Sequence, residues 1–234
     1  MTGAPPEQPR PGERTPAPAP AAPSSGTALA HQRLPLRYAR LFLGLVLFAA
    51  SLAMLVRSGL GNMPWDVLGQ GVALRLGWTL GAATLMLSVL VLACWFPLRQ
   101  RPGMGTVANV LVIGVLVDPF LALLALLPED LGLPAAVALV VGGIVLNALA
   151  SGLYIGARLG PGPRDGLMTG LVRRTGRPVN LVRTSIEVLV VAAGWVLGGT
   201  VGFATLAYAV AIGPLVHVLL PRLTVPERPA VPEP

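Results

Sequence analysis

Six stretches of about 20 mostly apolar residues restrict the fold of this sequence more than any other feature. An α-helix rises 1.5 Å per residue, so a helix of about 20 apolar residues crosses roughly 30 Å of hydrocarbon. Only 12% of the residues are charged, against about a quarter in ordinary soluble domains. The pattern therefore predicts an all-α, polytopic membrane protein with about six transmembrane helices. The predicted helices are 38–57, 78–98, 105–127, 134–157, 179–198 and 201–220.

The two ends of the chain differ from this apolar region in composition. Residues 1–32 are dominated by Pro, Ala, Ser and Gly, and residues 223–234 are rich in Pro. Such segments cannot bury enough apolar surface to offset the entropy of ordering, so we expect both to be disordered tails. Between them, 33–127 and 128–222 each hold three predicted helices. We refer to these two segments as the first and second units.

Arginine placement predicts the orientation of the helices. With an even number of spans, most arginines fall on one side, whereas Arg57 and Arg75 lie on the other side with Glu129 and Asp130. Positively charged loops remain in the cytoplasm, so both termini should be cytoplasmic. The arginine-rich segments are 33–40, 99–101, 158–183 and the region of Arg222.

The second unit repeats the first at an offset of 99 residues, without a gap. The matches include Gly, Pro and charged positions, which shared hydrophobicity does not explain. Each unit has three spanning helices, an odd number, so the second copy should enter the bilayer in the opposite orientation. The sequence thus predicts an inverted repeat. Leu60, Gly61, Pro64, Asp66, Gly71, Arg75 and Gly77 match Leu159, Gly160, Pro163, Asp165, Gly170, Arg174 and Gly176.

The best-matched segment of each unit is a turn followed by a short helix. The turns contain Gly61 with Pro64 and Gly160 with Pro163. About eleven residues follow before the next Gly, too few to span, so each is predicted to be a re-entrant or interfacial half-helix.

Each of these half-helices begins with an aspartate, Asp66 or Asp165, two residues after the Pro. An Asp suits a helix N-cap, where its carboxylate accepts backbone N–H groups. The same residues are candidates for a substrate or ion site, because exposed half-helix ends can stabilise ligand charge within a membrane. The sequence leaves both roles open.

Four further ionisable residues lie within or near predicted spans. Asp118 and His217 are related by the repeat offset and could form a proton-handling pair, although His217 could equally lie in the headgroup zone. Glu187 follows Arg183 by four residues, so the two share a helix face. They could form a local ion pair or a coupling site.

No catalytic, metal or cofactor site is predicted. Cys94 is the single cysteine, and the sequence has no His/Cys cluster, no nucleophile beside a base and no phosphate loop. The net charge of +7 comes from arginines at helix ends and does not indicate a nucleic-acid partner. The expected partners are the lipid bilayer and a small-molecule substrate, and the sequence does not specify whether the chain forms a homo-oligomer.

Several motifs resemble the YczE-like branch of the YczE/YyaS/YitT family of bacterial membrane proteins. They are the segments 59–68, 152–156 and 159–171, together with Arg183-Thr184 and Glu187. The resemblance covers about residues 36–220. It implies an integral protein of the bacterial plasma membrane and assigns no substrate and no functional residue.

The inverted repeat and the paired half-helices favour a small-molecule transporter or permease. The alternative is a scaffold that does not transport and supports another process at the membrane.

Overall fold

The computed structural model describes residues 34–225, which form eight α-helices. Five of them, α1, α4, α5, α7 and α8, are long and apolar enough to cross a membrane. The predicted all-α class is confirmed, and the short helices predicted after the two turns are present as α2 and α6. The helices are α1 (Leu34–Ser58), α2 (Pro64–Leu76), α3 (Leu80–Trp95), α4 (Met104–Leu124), α5 (Leu133–Gly156), α6 (Pro163–Thr175), α7 (Val179–Val196) and α8 (Phe203–Leu223).

The second predicted span differs most from expectation. Helix α3 has 16 residues, fewer than the predicted 78–98, and it forms one span only if joined to α2, from which it bends by 115°. Gly77 ends α2 in the left-handed region with φ of 67°, and the Thr79 side chain then accepts the Ala82 N–H to start α3. The start of α3 therefore lies within two residues of the prediction. Its end lies three residues early, at Trp95, because Pro97 does not allow the helix to continue.

The four long helices α1, α4, α5 and α8 supply most of the buried core. Leu45 and Leu52 of α1 pack with Val117 of α4, Ile144 of α5 and Ala204 of α8. Many large apolar side chains remain exposed, which suits a surface that faces lipid.

Glycines allow the closest approaches between these helices. A Cβ on Gly44 would lie 2.8 Å from the Tyr154 nitrogen, and one on Gly143 would lie 3.2 Å from the Ser51 oxygen. Small residues at such points let helix backbones pack tightly.

The short helix of each unit packs on the other unit. Helix α2 of the first unit packs on α7 of the second, and α6 of the second packs on α3 of the first. Because α6 and α7 are the repeat equivalents of α2 and α3, the two contacts are equivalent. The orientation of the units relative to a bilayer stays a prediction.

The predicted turns also pack on the other unit. Gly61 and Gly160 have φ of 120° and 128°, a region that favours glycine. A Cβ on Gly61 would lie 2.7 Å from the Thr205 hydroxyl, and one on Gly160 would lie 3.2 Å from the Thr106 hydroxyl. Each turn therefore needs glycine both for its φ and for its contact with the last helix of the other unit.

Arginines bind carbonyl groups that helix C-termini leave unpaired. Arg75 donates to the Leu197 oxygen at 3.2 Å, and its repeat equivalent Arg174 donates to the Pro97 oxygen at 2.8 Å. Arg57 donates to the Leu124 oxygen at 3.1 Å. The two arginines on the predicted outer side thus have structural partners.

The C-terminal boundary lies later than predicted. Leu223 is the last residue of α8, and Val225 is buried and donates its N–H to the Gly156 oxygen at 3.1 Å. Its packing against the end of α5 orders a segment that composition assigned to a tail. The predicted tail 1–32 and residues 226–234 lie outside the described residues.

Candidate functional site

Both short helices begin at one cavity of about 250 Å³. Proline is the first helical residue of each, because its fixed φ suits that position and it has no N–H to leave unpaired. The N-cap residues are Met63 and Gly162, so of the two roles left open for Asp66 and Asp165, the N-cap role does not apply. Starting the helix at the Pro places each Asp in the first turn, where its charge still complements the helix dipole.

The cavity is lined from both units and from the long helices. Its lining combines aromatic side chains with cationic and anionic ones. The lining includes Phe48, Met63, Pro64, Trp65, Thr84, Ser88, Asn109, Ser151, Tyr154, Pro163, Arg164, Asp165, Met168, Arg183, Glu187, Tyr208 and Gly213.

An ion pair joins the two short helices behind this lining. The Arg164 side chain of α6 donates to Asp66 Oδ1 of α2 at 3.1 Å, with exposed fractions of 29% and 1%. Its guanidinium carbon also lies 5.3 Å from the centroid of the Trp65 ring, a distance that permits a cation–π contact. The other oxygen, Asp66 Oδ2, is buried and finds no hydrogen-bond partner within residues 34–225.

Asp165, the repeat equivalent of Asp66, has a different partner. Its Oδ2 accepts the hydroxyl of Tyr154 in α5 at 2.7 Å. The position equivalent to Arg164 in the first unit is Trp65, which cannot form an ion pair. Asp165 therefore faces the cavity with a neutral phenol as its hydrogen-bond partner.

A second ion pair comes from α7. Arg183 Nε donates to Glu187 Oε1 at 2.9 Å, and both residues line the cavity. The predicted local ion pair is confirmed, and a coupling role for it stays a prediction. Tyr208 also lines the cavity, and its hydroxyl donates to Asn147 at 2.9 Å. The Asn147 amide donates to Ser51 at the same distance.

Every charged side chain in the cavity lining belongs to the second unit. Arg164, Arg183 and Glu187 of the second unit are equivalent to Trp65, Thr84 and Ser88 of the first, and all six line the cavity. We call Arg164, Asp165, Arg183 and Glu187 the charged wall. We call Trp65, Thr84 and Ser88 the neutral wall.

Asp118 and His217 are not brought together with these residues. Asp118 Oδ1 accepts the Gly81 N–H at 2.9 Å, at the start of α3, and His217 is exposed on α8. Neither contributes to the cavity lining. The structure thus assigns Asp118 a local role at a helix N-terminus, where four N–H groups have no partner within the helix.

The sequence did not single out Arg164, Trp65, Tyr154 or Tyr208. The repeat is recognised from residues that match between the units, whereas these four residues lie at positions where the units differ. The two turns match at their Gly and Pro positions but differ at position 164, where Arg164 stands opposite Trp65 of the first unit. Such a polar difference between matched positions was the signal that could have identified Arg164. Tyr154 and Tyr208 carry no such signal, because only the packing of α5 and α8 brings them to the cavity.

Across residues 34–225, no group of three or more His, Cys, Asp or Glu residues could hold a metal ion.

Comparison with known proteins agrees with the membrane fold. A family model described as "Family of unknown function (DUF6198)" matches residues 35–221. The chain belongs to this family. No solved structure matches it.

Curated relatives cover most of the chain. An "Uncharacterized protein" of Haemophilus influenzae is 36% identical over 183 residues, 76% of this chain and 83% of its own. The "Uncharacterized membrane protein YczE" of Bacillus subtilis is 32% identical over 193 residues, 82% of this chain and 88% of its own. The "Uncharacterized protein YyaS" of the same organism is 24% identical over 187 residues, 80% and 93% respectively. The resemblance seen in the sequence is confirmed, and the chain is a multi-pass membrane protein.

Proposed function

We propose that this protein transports a small solute, without chemical conversion, through the cavity at which α2 and α6 begin. The observation that carries the proposal is the meeting of two proline-initiated helix N-termini with side chains of both charges at one cavity. Broken helices at corresponding positions of two repeats are the usual sequence pointer to a transporter substrate site. Helix N-termini there stabilise polar ligand groups that lipid could not.

We further propose that the two units are inverted in a bacterial plasma membrane, with both termini in the cytoplasm. The odd number of spans predicted for each unit and the arginine distribution support this orientation. The equivalent packing of α2 and α6 on the other unit agrees with a twofold relation between the units.

Single cysteines test the orientation. Trp78 and Arg177 are exposed repeat equivalents that follow α2 and α6. In a Cys94→Ala background, Trp78→Cys in intact cells should react with a membrane-impermeant thiol reagent, and Arg177→Cys should react only after the membrane is opened. Labelling of both from the same side would exclude the inverted arrangement.

Metabolite profiling tests transport without knowledge of the substrate. Cells that lack the protein are compared with cells that express the wild type or Asp165→Asn, and small solutes are measured in cytoplasm and medium. The wild type should shift at least one solute between the compartments, and Asp165→Asn should not. The substitution keeps an oxygen for the Tyr154 hydroxyl, so insertion and fold should be retained.

Glu129→Gln is the matched control, because Glu129 is an exposed loop carboxylate away from the cavity. It should behave as the wild type. If Asp165→Asn inserts normally and also restores the wild-type profile, the cavity is not a transport site. A scaffold that does not transport would give that result.

A further inference from the structure

Two buried polar atoms at the cavity have no hydrogen-bond partner in the described part of the chain. They are Thr84 Oγ1, whose residue is 4% exposed and lines the cavity, and Asp66 Oδ2 behind it. Leaving a buried polar group unpaired costs about 1–3 kcal/mol, so such atoms need a reason. A polar ligand that donates to or accepts from Thr84 would supply one.

The cavity has no net charge. Arg164 and Arg183 balance Asp165 and Glu187 along the charged wall. Asp66 adds one negative charge, and two helix N-termini contribute roughly half a positive charge each. A ligand with a net charge would therefore leave a desolvated charge uncompensated, which is costly in a low-dielectric site.

A ligand can form charge-assisted hydrogen bonds with both the cationic and the anionic side chains of the cavity. Each guanidinium has five N–H donors, and the bonds to Asp66 and Glu187 engage one donor apiece. Arg183 is 49% exposed, and Asp165 accepts only a phenol among the side-chain contacts described above. Hydrogen bonds to charged partners are about twice as strong as neutral ones, so a ligand with both charges gains more than an uncharged one.

We infer that the cavity binds a small zwitterion, whose ammonium group lies at Asp165 and Tyr154 and whose anionic group takes free donors of Arg164 and Arg183. Thr84 of the neutral wall provides a further hydrogen bond to the ligand. The volume of about 250 Å³ is below the roughly 300–1,000 Å³ of sites for drug-sized ligands, so the zwitterion is of amino-acid or betaine size. This inference rests on the proposed function, since it takes the cavity to be the substrate site.

Thermal stability of the purified full chain in detergent tests the ligand class. The twenty standard amino acids and glycine betaine are added singly at millimolar concentration. At least one should raise the unfolding temperature in a saturable way. Its decarboxylated amine, its deaminated acid and the amide of that acid should each bind at least tenfold more weakly. Absence of any stabilising compound, or equal binding of a singly charged or uncharged analogue, would overturn the inference.

Variants show whether the ligand occupies this cavity. Gly213 lines it, and a Cβ there would meet no atom within 4 Å, so the side chain of Gly213→Leu starts in open space and should fill part of the cavity. It should weaken binding of the stabilising zwitterion at least tenfold while the ligand-free unfolding temperature stays close to that of the wild type. Ala209→Leu, at an exposed position of the same helix outside the lining, is the control and should bind normally. Unchanged binding by Gly213→Leu would place the ligand elsewhere and overturn the assignment.

Flux into proteoliposomes separates this inference from the proposed function. Selective binding of a zwitterion without any flux would contradict transport and leave the ligand class intact. Flux of a solute with net charge or with no charged group would support transport and contradict the zwitterion as the ligand class.

Discussion

The first and second units build the same backbone around the cavity and line it with different chemistry. Each contributes a short helix that starts at a proline and packs on the other unit. At equivalent positions, however, the first unit carries Trp65, Thr84 and Ser88 where the second carries charged residues. Backbone positions that need glycine or proline are shared, whereas cavity-facing positions are free to differ. The comparison indicates that the repeat preserves architecture and that the charged side chains of the lining come from the second unit.

The two equivalent contacts of the short helices also differ in which partner carries the large residue and which carries the small one. In one contact, Gly194 of α7 approaches Val67 of α2, and a Cβ on Gly194 would lie 2.5 Å from the Val67 carbonyl carbon. In the equivalent contact, Trp95 takes the place of the glycine and Gly166 takes the place of the valine. A Cβ on Gly166 would lie 1.9 Å from Trp95 Cζ2. Each contact is complementary, but with the large residue on the opposite partner.

Breaking the second of these contacts should have the largest effect. Gly166→Val collides with Trp95, which is buried and held by its Nε1–H bond to the Pro163 oxygen at 3.0 Å. Trp95→Gly leaves a cavity that should cost about 3–5 kcal/mol. The double variant reproduces the pair found in the first contact and should recover part of the loss. Thermal unfolding in detergent measures all three, and additive losses in the double variant would show that the two contacts are not interchangeable.

The two equivalent aspartates should respond differently to the same change. Asp66→Asn removes the charge that pairs with Arg164, and we expect a loss of about 1–3 kcal/mol, below the cost for a fully buried pair because Arg164 is partly exposed. Asp165→Asn keeps its hydroxyl partner and should change stability by less than about 0.5 kcal/mol while abolishing flux. Unfolding in detergent and proteoliposome flux measure the two effects. An equal stability loss from both variants would mean that Asp165 is also structural.

A pair of equivalent glycines sharpens the comparison further. A Cβ on Gly114 would lie 3.0 Å from Leu85 Cβ, whereas one on Gly213 meets nothing within 4 Å. Gly114→Ala should therefore lower stability by about 1 kcal/mol, within the range of overpacked sites, and Gly213→Ala should not lower it. Thermal unfolding of the two variants measures the difference. A loss for Gly213→Ala would contradict its placement at the cavity.

Converting one wall into the other should have the smallest effect on stability. Arg183→Thr with Glu187→Ser replaces the ion pair by the residues that the first unit carries, and it leaves the net charge unchanged. Exposed pairs four residues apart contribute about 0.3–0.5 kcal/mol, so the fold should persist. Flux of a zwitterion should fall sharply. Wild-type flux in this variant would show that the charged wall does not determine selectivity.

Most of the fold was predictable because its signals are local. Apolar length identified the spans, and the matched turns at Gly61 and Gly160 identified both short helices. Hydropathy placed the end of α3 at residue 98, three residues too late, because the segment stays apolar past Trp95 whereas Pro97 ends the helix. Glycine alone does not predict close helix packing: Gly44 and Gly143 lie against a neighbouring helix, whereas Gly213 lines the cavity with no atom within 4 Å of an added Cβ.

By itself, the sequence determined that the chain is helical and crosses a membrane, that its second half repeats its first, and that each half contains a proline-initiated short helix. These properties follow from hydropathy, spacing and backbone preference, which act over a few residues. Only the tertiary structure decided that α2 and α6 begin at one cavity, that Arg164 pairs with Asp66, and that Tyr154 binds Asp165. The pair of Arg164 and Asp66 joins residues 98 apart in sequence, through the packing between the units. The bond from Tyr154 to Asp165 spans only 11 residues, but it depends on how α6 folds back on α5. No local pattern encodes the partner of a buried charge.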